Sequence, residues 1–277
     1  MVIDFRVQQP KQRRAEQRPD YMMRYNDVFD LGAVSYTPQT LLQKLDEAGI
    51  HRAVMQAEWA SGDYRQDNDL VAGLVRDNAE KLIGFAAVDI GDCYSAVQEL
   101  KRSVETLGLR GLNLQPFASR LHANDKKAYP LYSKCLEYGI PVCIHTGINY
   151  SADRGIDYGR PIYIDEVACD FPGLPIVLNH GGWPWVSESV AIARKHRNVY
   201  IEIGGISPKY IAKPGAGWEM LLSMANNLLR EQILFATDSM LPFERAISEA
   251  RALPLSPDAI DAIMAGNAQR IIDTLPR

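Results

Sequence analysis

Stretches that read as buried strands alternate with stretches that read as helices along the whole chain, and that alternation leaves few folds open. Strands are predicted near Val2–Gln8, Arg52–Glu58, Leu82–Val88, Gly111–Gln115, Pro141–His145, Pro175–His180, Val199–Ile203 and Ile233–Asp238. Each is short, apolar and bounded by turn residues. Helical patterns fill the intervals. Thr37-Pro38 supplies a cap and a proline at the first helical position, opening a helix that runs to about Glu47, with Gly49 beyond its end. Eight strands each followed by a helix is the count for a (β/α)8 TIM barrel. A length of 277 residues would suit two domains, but α/β barrels run this long as one, so residues 1–277 read as a single domain. Two irregular insertions, Gln9–Tyr36 and Ile148–Pro161, leave strands at their carboxyl ends and are expected to fold over that mouth.

Three of these strands stop on residues that carry chemistry. Pro141-Val-Cys-Ile-His-Thr-Gly147 ends on His145 and breaks at a glycine; Pro175–His180 ends before Gly181-Gly182; Ile233–Asp238 ends on a carboxylate. Strand side chains alternate between faces, so Cys143 and His145 share one and Val142 and Ile144 the other. The first strand puts Ile3, Phe5 and Val7 against Asp4, Arg6 and Gln8. Glu58, Asn113, Gln115 and Glu202 fall on the polar faces of their strands, near one end. Burying such groups costs free energy unless they are paired or bind something, so a polar pocket at one mouth is expected. Gln8, Glu58, Asn113 and Gln115 are its candidate substrate-binding walls. Trp59, Trp183, Trp185 and Tyr150 lie just past strand ends, where stacking on a flat substrate and anchoring of loops explain them equally well. His51 and His122 read as surface histidines.

The bulk numbers exclude several classes. With 30 basic against 34 acidic residues, the net charge of −4 argues against a nucleic-acid surface. The run Lys11-Gln-Arg-Arg14 is short enough for a solvated loop. No apolar run reaches the ~20 residues that span a membrane. Cys93, Cys135, Cys143 and Cys169 make no CxxC and no zinc spacing, which suits reduced thiols in a cytoplasmic protein.

His145-Thr-Gly147, His180-Gly-Gly182, Ala236-Thr-Asp238 and Gly266-Asn-Ala268, with Asp170-Phe-Pro172, Pro184-Trp185 and Arg197-Asn-Val-Tyr200 between them, resemble the amidohydrolase superfamily. Within it they resemble the amidohydrolase-related group of hydrolases and decarboxylases. The resemblance implies a distorted barrel, commonly with a divalent metal, and it leaves room for a homodimer. The first strand departs from it. Members usually end that strand with His-x-His; here those positions are Arg6 and Gln8. Arginine has a fixed charge and no lone pair to offer a cation.

Two mechanisms follow. In one, His145, His180 and Asp238 hold a divalent ion, zinc being expected, as an open three-ligand site. In the other no metal binds, Arg6 supplies the positive charge, and Asp238 activates water as general base. The leading expectation is hydrolysis of a lactone, amide or ester-like bond in a small carboxylated or aromatic compound. Non-oxidative decarboxylation of an aromatic or unsaturated acid comes second, and a barrel that binds a ligand without turning it over comes third.

Overall fold

The structure is a computed structural model, and it describes residues 1–10, 37–58, 63–151 and 153–276. Most of the insertion expected over Gln9–Tyr36, the basic run at 11–14 and Trp59 lie outside these residues.

Eight parallel strands follow one another around the sheet in chain order: β1 (Ile3–Gln8), β2 (Arg52–Gln56), β3 (Leu82–Ala87), β4 (Leu112–Leu114), β5 (Val142–His145), β6 (Ile176–Asn179), β7 (Val199–Glu202) and β8 (Ile233–Leu234). The ring closes through backbone bonds: the Phe5 amide donates to the Phe235 carbonyl at 3.0 Å, and the Asp238 amide to the Arg6 carbonyl at 2.9 Å. This is the (β/α)8 barrel that the alternation predicts. The helix Pro38–Glu47 starts as expected, with the Thr37 side chain accepting from the Thr40 amide. The final helical stretch is one helix in outline, but a π-turn over Ala262–Gly266 interrupts it between Pro257–Asp261 and Asn267–Asp273. Single turns at Pro116–Ser119 and Pro208–Ile211 also follow strand ends.

Two cores divide along the barrel wall. The larger, including Val7, Met55, Leu112, Ile144 and Ile201, lies between strands and helices. The smaller fills the barrel: Ile3, Phe5, Val54, Ile83, Phe85, Cys143, Val177 and Leu234, plugged by Ala265, Ala268, Ile271, Ile272 and Leu275 of the last helical stretch. Layered filling of this kind is general for such barrels. Phe5 meets Phe85 edge-on at 6.0 Å. Gly111 makes room for that layer, since a Cβ there would lie 2.4 Å from the Phe85 ring.

Strict alternation along β1 is therefore corrected. Ile3 and Phe5 face inward, while Val7 faces the helices. The register against β2 shifts between Asp4 and Val7, and the Arg6 amide donates to the Asp4 carboxylate at 3.1 Å. Such an irregularity re-aims the side chains around it. It lets Phe5 and Arg6, adjacent in sequence, both serve the interior. Among the described residues no helix is long and apolar enough to cross a membrane.

Candidate active site

The carboxyl ends of the strands open into a cavity of about 410 Å³. Its floor is set by strand ends, and its walls come from the loops beyond them. Of the residues expected at the site, Arg6, Gln8, Glu58, Gln115, His145, His180, Trp183 and Asp238 line it, as does Tyr150. Asn113 lies beneath: it is buried, donates to the Ala57 carbonyl at 2.9 Å and accepts from Arg6 at 3.4 Å, so it supports the floor. Trp185 instead occupies the cap position of the helix Val186–Lys195, off the cavity. His51 is exposed, as expected, whereas His122 is half-buried between Tyr158 and Tyr163 and bonded to Asp157 at 2.9 Å. That contact fastens the described part of the second insertion, whose Ile148, Asn149, Tyr150 and Ser151 line the mouth.

Arg6 is the centre of the floor. Its side chain is 2% exposed, and its guanidinium is spent in three directions. Nε donates to Asp238 Oδ1 at 2.7 Å, Nη2 to Glu58 Oε1 at 2.6 Å, and Nη1 to Gln56 Oε1 at 2.5 Å. Burial disfavours the charged guanidinium, but the Asp238 and Glu58 carboxylates outweigh it and hold its pKa above the ordinary value. Burial likewise pushes the Asp238 carboxyl up, and the Arg6 charge, with hydrogen bonds from Arg6 and Gln8, overcomes it, so Asp238 stays an anion.

The two imidazoles stay neutral. Burial, then the neighbouring His180 and Arg6, hold His145 well below the usual histidine range. Burial brings His180 to about 4, against an upward pull from Asp238. The rings lie 4.9 Å apart, edge to face, with Phe117 on the other side of His145 at 4.6 Å. His180 Nδ1 is 3.1 Å from the Gly204 carbonyl; as donor there, the neutral ring keeps its lone pair on Nε2. His145 Nδ1 and both polar ends of the Asn179 amide are buried with no partner among the described residues. Buried polar groups normally find one, so these atoms mark where a polar ligand or ordered water belongs.

The backbone around the site is specialised. His180, Asp238 and Ser239 adopt positive φ of 60°, 54° and 52°. Such conformations cost of order 1–3 kcal/mol each in non-glycine residues and cluster at functional sites. Gly205 has φ +76° and presses on His180, where a Cβ would meet Nδ1 at 2.6 Å. Residues not anticipated from the sequence include Phe117, Gly204, Gly205, Trp218, Met240 and Arg245, all lining the cavity from loops or helix starts.

Glu202 sits behind His180, accepting from its amide at 3.3 Å and from the Gly204 amide. Burial raises its carboxyl to about 8 from an ordinary 4.5, with Arg6 pulling down and Asp238 pushing up. The folded chain therefore holds this proton more tightly than the unfolded chain. Its stabilisation is complete below about 4.5 and is lost as pH rises toward about 8. Glu202→Gln, neutral at every pH, should flatten the fall in urea midpoint across that window. A slope equal to wild type would exclude Glu202 as its source.

His145, His180 and Asp238 were expected to be able to hold a divalent ion, and the donor set does not fit one. A metal site needs converging lone pairs. Here Asp238 Oδ1 is taken by the Arg6 guanidinium, whose fixed charge repels a second cation, and Gln8 offers an amide. Among the described residues, the three-residue grouping whose ligand atoms converge is a different one, Asp165, Cys169 and His196.

Comparison with known proteins agrees with this architecture. A family model described as amidohydrolase matches residues 12–274. The chain is 28% identical over 149 residues to 2-amino-3-carboxymuconate-6-semialdehyde decarboxylase of Dictyostelium discoideum, covering 47% of this chain and 42% of that one. It therefore spans less than half the length of that relative. It is 25% identical over 251 residues to gamma-resorcylate decarboxylase of Rhodococcus jostii, covering 74% of each. Among solved structures, an uncharacterised TIM-barrel protein of Bordetella bronchiseptica superposes with a TM-score of 0.81 at 28% identity, over 99% of this chain and 98% of that one. A dihydroxybenzoic acid decarboxylase of Polaromonas with bound manganese shares the fold at a TM-score of 0.72 and 17% identity, over 98% and 96%. Divalent metal is thus found in a barrel of this fold, although Arg6 stands on the first strand here. Because the family match runs through nearly every strand and loop that builds the cavity, the chain belongs to the amidohydrolase family.

Proposed function

We propose that the chain is a lyase that removes a carboxyl group, without oxidation, from a small unsaturated or aromatic carboxylic acid. The observation that carries this is a buried guanidinium, the one such group among the described residues, on the floor of an aromatic-walled cavity, with Phe117, Tyr150, Trp183 and Trp218 around it. Relatives named as decarboxylases of such acids favour it over the hydrolysis expected first.

The chemistry asks little more of the residues present. Breaking the carbon–carboxyl bond releases CO2 and leaves an electron pair that must be delocalised onto a conjugated oxygen or ring. Arg6, fixed in place by Asp238, Glu58 and Gln56, offsets the two carboxylates at the cavity floor that would otherwise repel that developing anion. The vacated carbon then takes a proton. His180 Nε2 has the lone pair to take that proton from solvent and pass it to the carbon, and anionic Asp238 stabilises the imidazolium while it does so.

A second reading, water activation by Asp238 with hydrolysis of a lactone or related bond, is favoured by one observation: Arg6 keeps Asp238 anionic and so able to accept a proton. One panel separates the two. Hydroxybenzoates, carboxymuconate-type acids and lactones are incubated with the protein in D2O. The lyase reading expects CO2 and a product bearing one deuterium at the vacated carbon. Ring opening of a lactone with no CO2 from any acid would overturn it.

A further inference from the structure

Outside the strands, on the helix layer, Asp165 and Cys169 stand one turn apart on the helix Tyr163–Asp170, and His196 caps the helix Val186–Lys195. None of the three lines the cavity. Asp165 Oδ1 lies 2.8 Å from His196 Nε2, and Cys169 Sγ lies 3.9 Å from the same nitrogen. One ligand atom from each falls within 4.8 Å of the others. A carboxylate, a thiol and an imidazole meeting at a point are three different donors with one partner in common, a borderline-soft divalent cation.

A positive charge already occupies the niche. Lys195 Nζ is 2.9 and 2.8 Å from the two Asp165 oxygens and 3.5 Å from Cys169 Sγ. The ammonium contacts two of the three donors at once, so Asp165 and Cys169 already converge on a cation. Its own side chain is 54% exposed and can swing into water. Exposed ion pairs of this kind hold their partners weakly.

We infer that Asp165, Cys169 and His196 form an exterior site for a zinc-class divalent cation, with water as the fourth ligand. Tetrahedral zinc, with bonds of about 2.3 Å to sulfur and 2.0–2.2 Å to nitrogen and oxygen, sets ligand-to-ligand edges of roughly 3.3–3.6 Å. The two edges to His196 bracket that range and the third lies within 4.8 Å, so side-chain adjustments of up to about an ångström complete the site. On binding, the thiol proton leaves to solvent, the His196 proton now shared with Asp165 moves from Nε2 to Nδ1 so that Nε2 has a lone pair, metal–sulfur and metal–nitrogen bonds form, and Lys195 departs still protonated. Carboxylate and thiolate then balance the charge of the ion. The metal ties the helix before β6 to the turn before β7.

Of the four cysteines, Cys169 is the exposed one, while Cys135 and Cys143 are buried and Cys93 is partly so, which makes the thiol a spectroscopic handle. The protein, free of affinity tag, is titrated with cobalt(II). One equivalent should bind with a near-ultraviolet thiolate-to-cobalt charge-transfer band, and zinc should bleach it. Cys169→Ser should abolish the band, and His196→Asn should weaken binding at least tenfold. Lys195→Ala keeps all three ligands and removes the competitor, so it should bind cobalt more tightly. Absence of the band in wild type, its survival in Cys169→Ser, or weaker binding by Lys195→Ala would each overturn the site. The readout is independent of the chemistry in the barrel.

Discussion

Arg6→Met should unfold at a markedly lower urea concentration than wild type and show no turnover. The side chain is 2% exposed and forms ion pairs at 2.6 and 2.7 Å with Glu58 and Asp238, which are buried themselves. Removing the cation leaves two carboxylates facing each other out of water, and breaking a buried pair in this way costs about 3–5 kcal/mol. Some of the loss will be recovered by protonating one carboxylate, so the deficit should be smaller at acid pH. Arg6→Lys separates charge from geometry. An ammonium keeps the charge but lacks the planar fork that reaches Asp238, Glu58 and Gln56 together. It should recover part of the stability and little of the activity. A urea midpoint for Arg6→Met equal to wild type would mean the guanidinium does not hold the floor together.

Asp238→Asn should leave a folded protein whose kcat falls by about 10²–10⁴, the range contributed by positioned acid–base groups. The same loss is expected whether Asp238 stabilises a protonated His180 or takes a proton from water, so this variant tests the residue and not the choice of reaction. A second readout reaches the mechanism. Asp238 is the charge that pulls the His180 pKa upward, against burial. Without it, the His180 ring resonances should titrate below about 4, or not at all before unfolding. An unmoved titration would show that the carboxylate does not act on that imidazole.

The barrel was legible because each strand is buried on both faces and bounded by turn residues, so strand identity depends on composition and not on a weak alternation. Thr37-Pro38 marked its helix because capping is local chemistry. The irregularity in β1 was not legible: Ile3-Asp-Phe-Arg-Val alternates in sequence, and only the register against β2 shows that Phe5 and Arg6 share the interior. The π-turn over Ala262–Gly266 was not legible, because no residue type marks one. The strand-end residues His145, His180 and Asp238 stood out because polar groups ending apolar runs need partners. Arg6 and Gln8 stood out because they replace expected donors. Asn113 was placed on the correct strand, but the bulk of Arg6 above it could not be seen. Phe117, Gly205 and Trp218 arrive from loops and a single turn, where no period exists to read, and Arg245 reaches the cavity from the first turn of the helix Phe243–Arg251.

The contacts that build the floor also fasten β1 to β8. Arg6 grips Asp238, the Asp4 carboxylate accepts from the Thr237 amide at 3.1 Å and from its hydroxyl at 2.6 Å, and these partners are more than 230 positions apart. No smaller set of strands can assemble the charged cluster, because its halves come from the two strands whose meeting completes the cylinder. Reactivity is therefore a property of the finished cylinder alone. A nascent or half-refolded chain carries the residues but not the reagent, and the appearance of turnover during refolding times the last seam to shut.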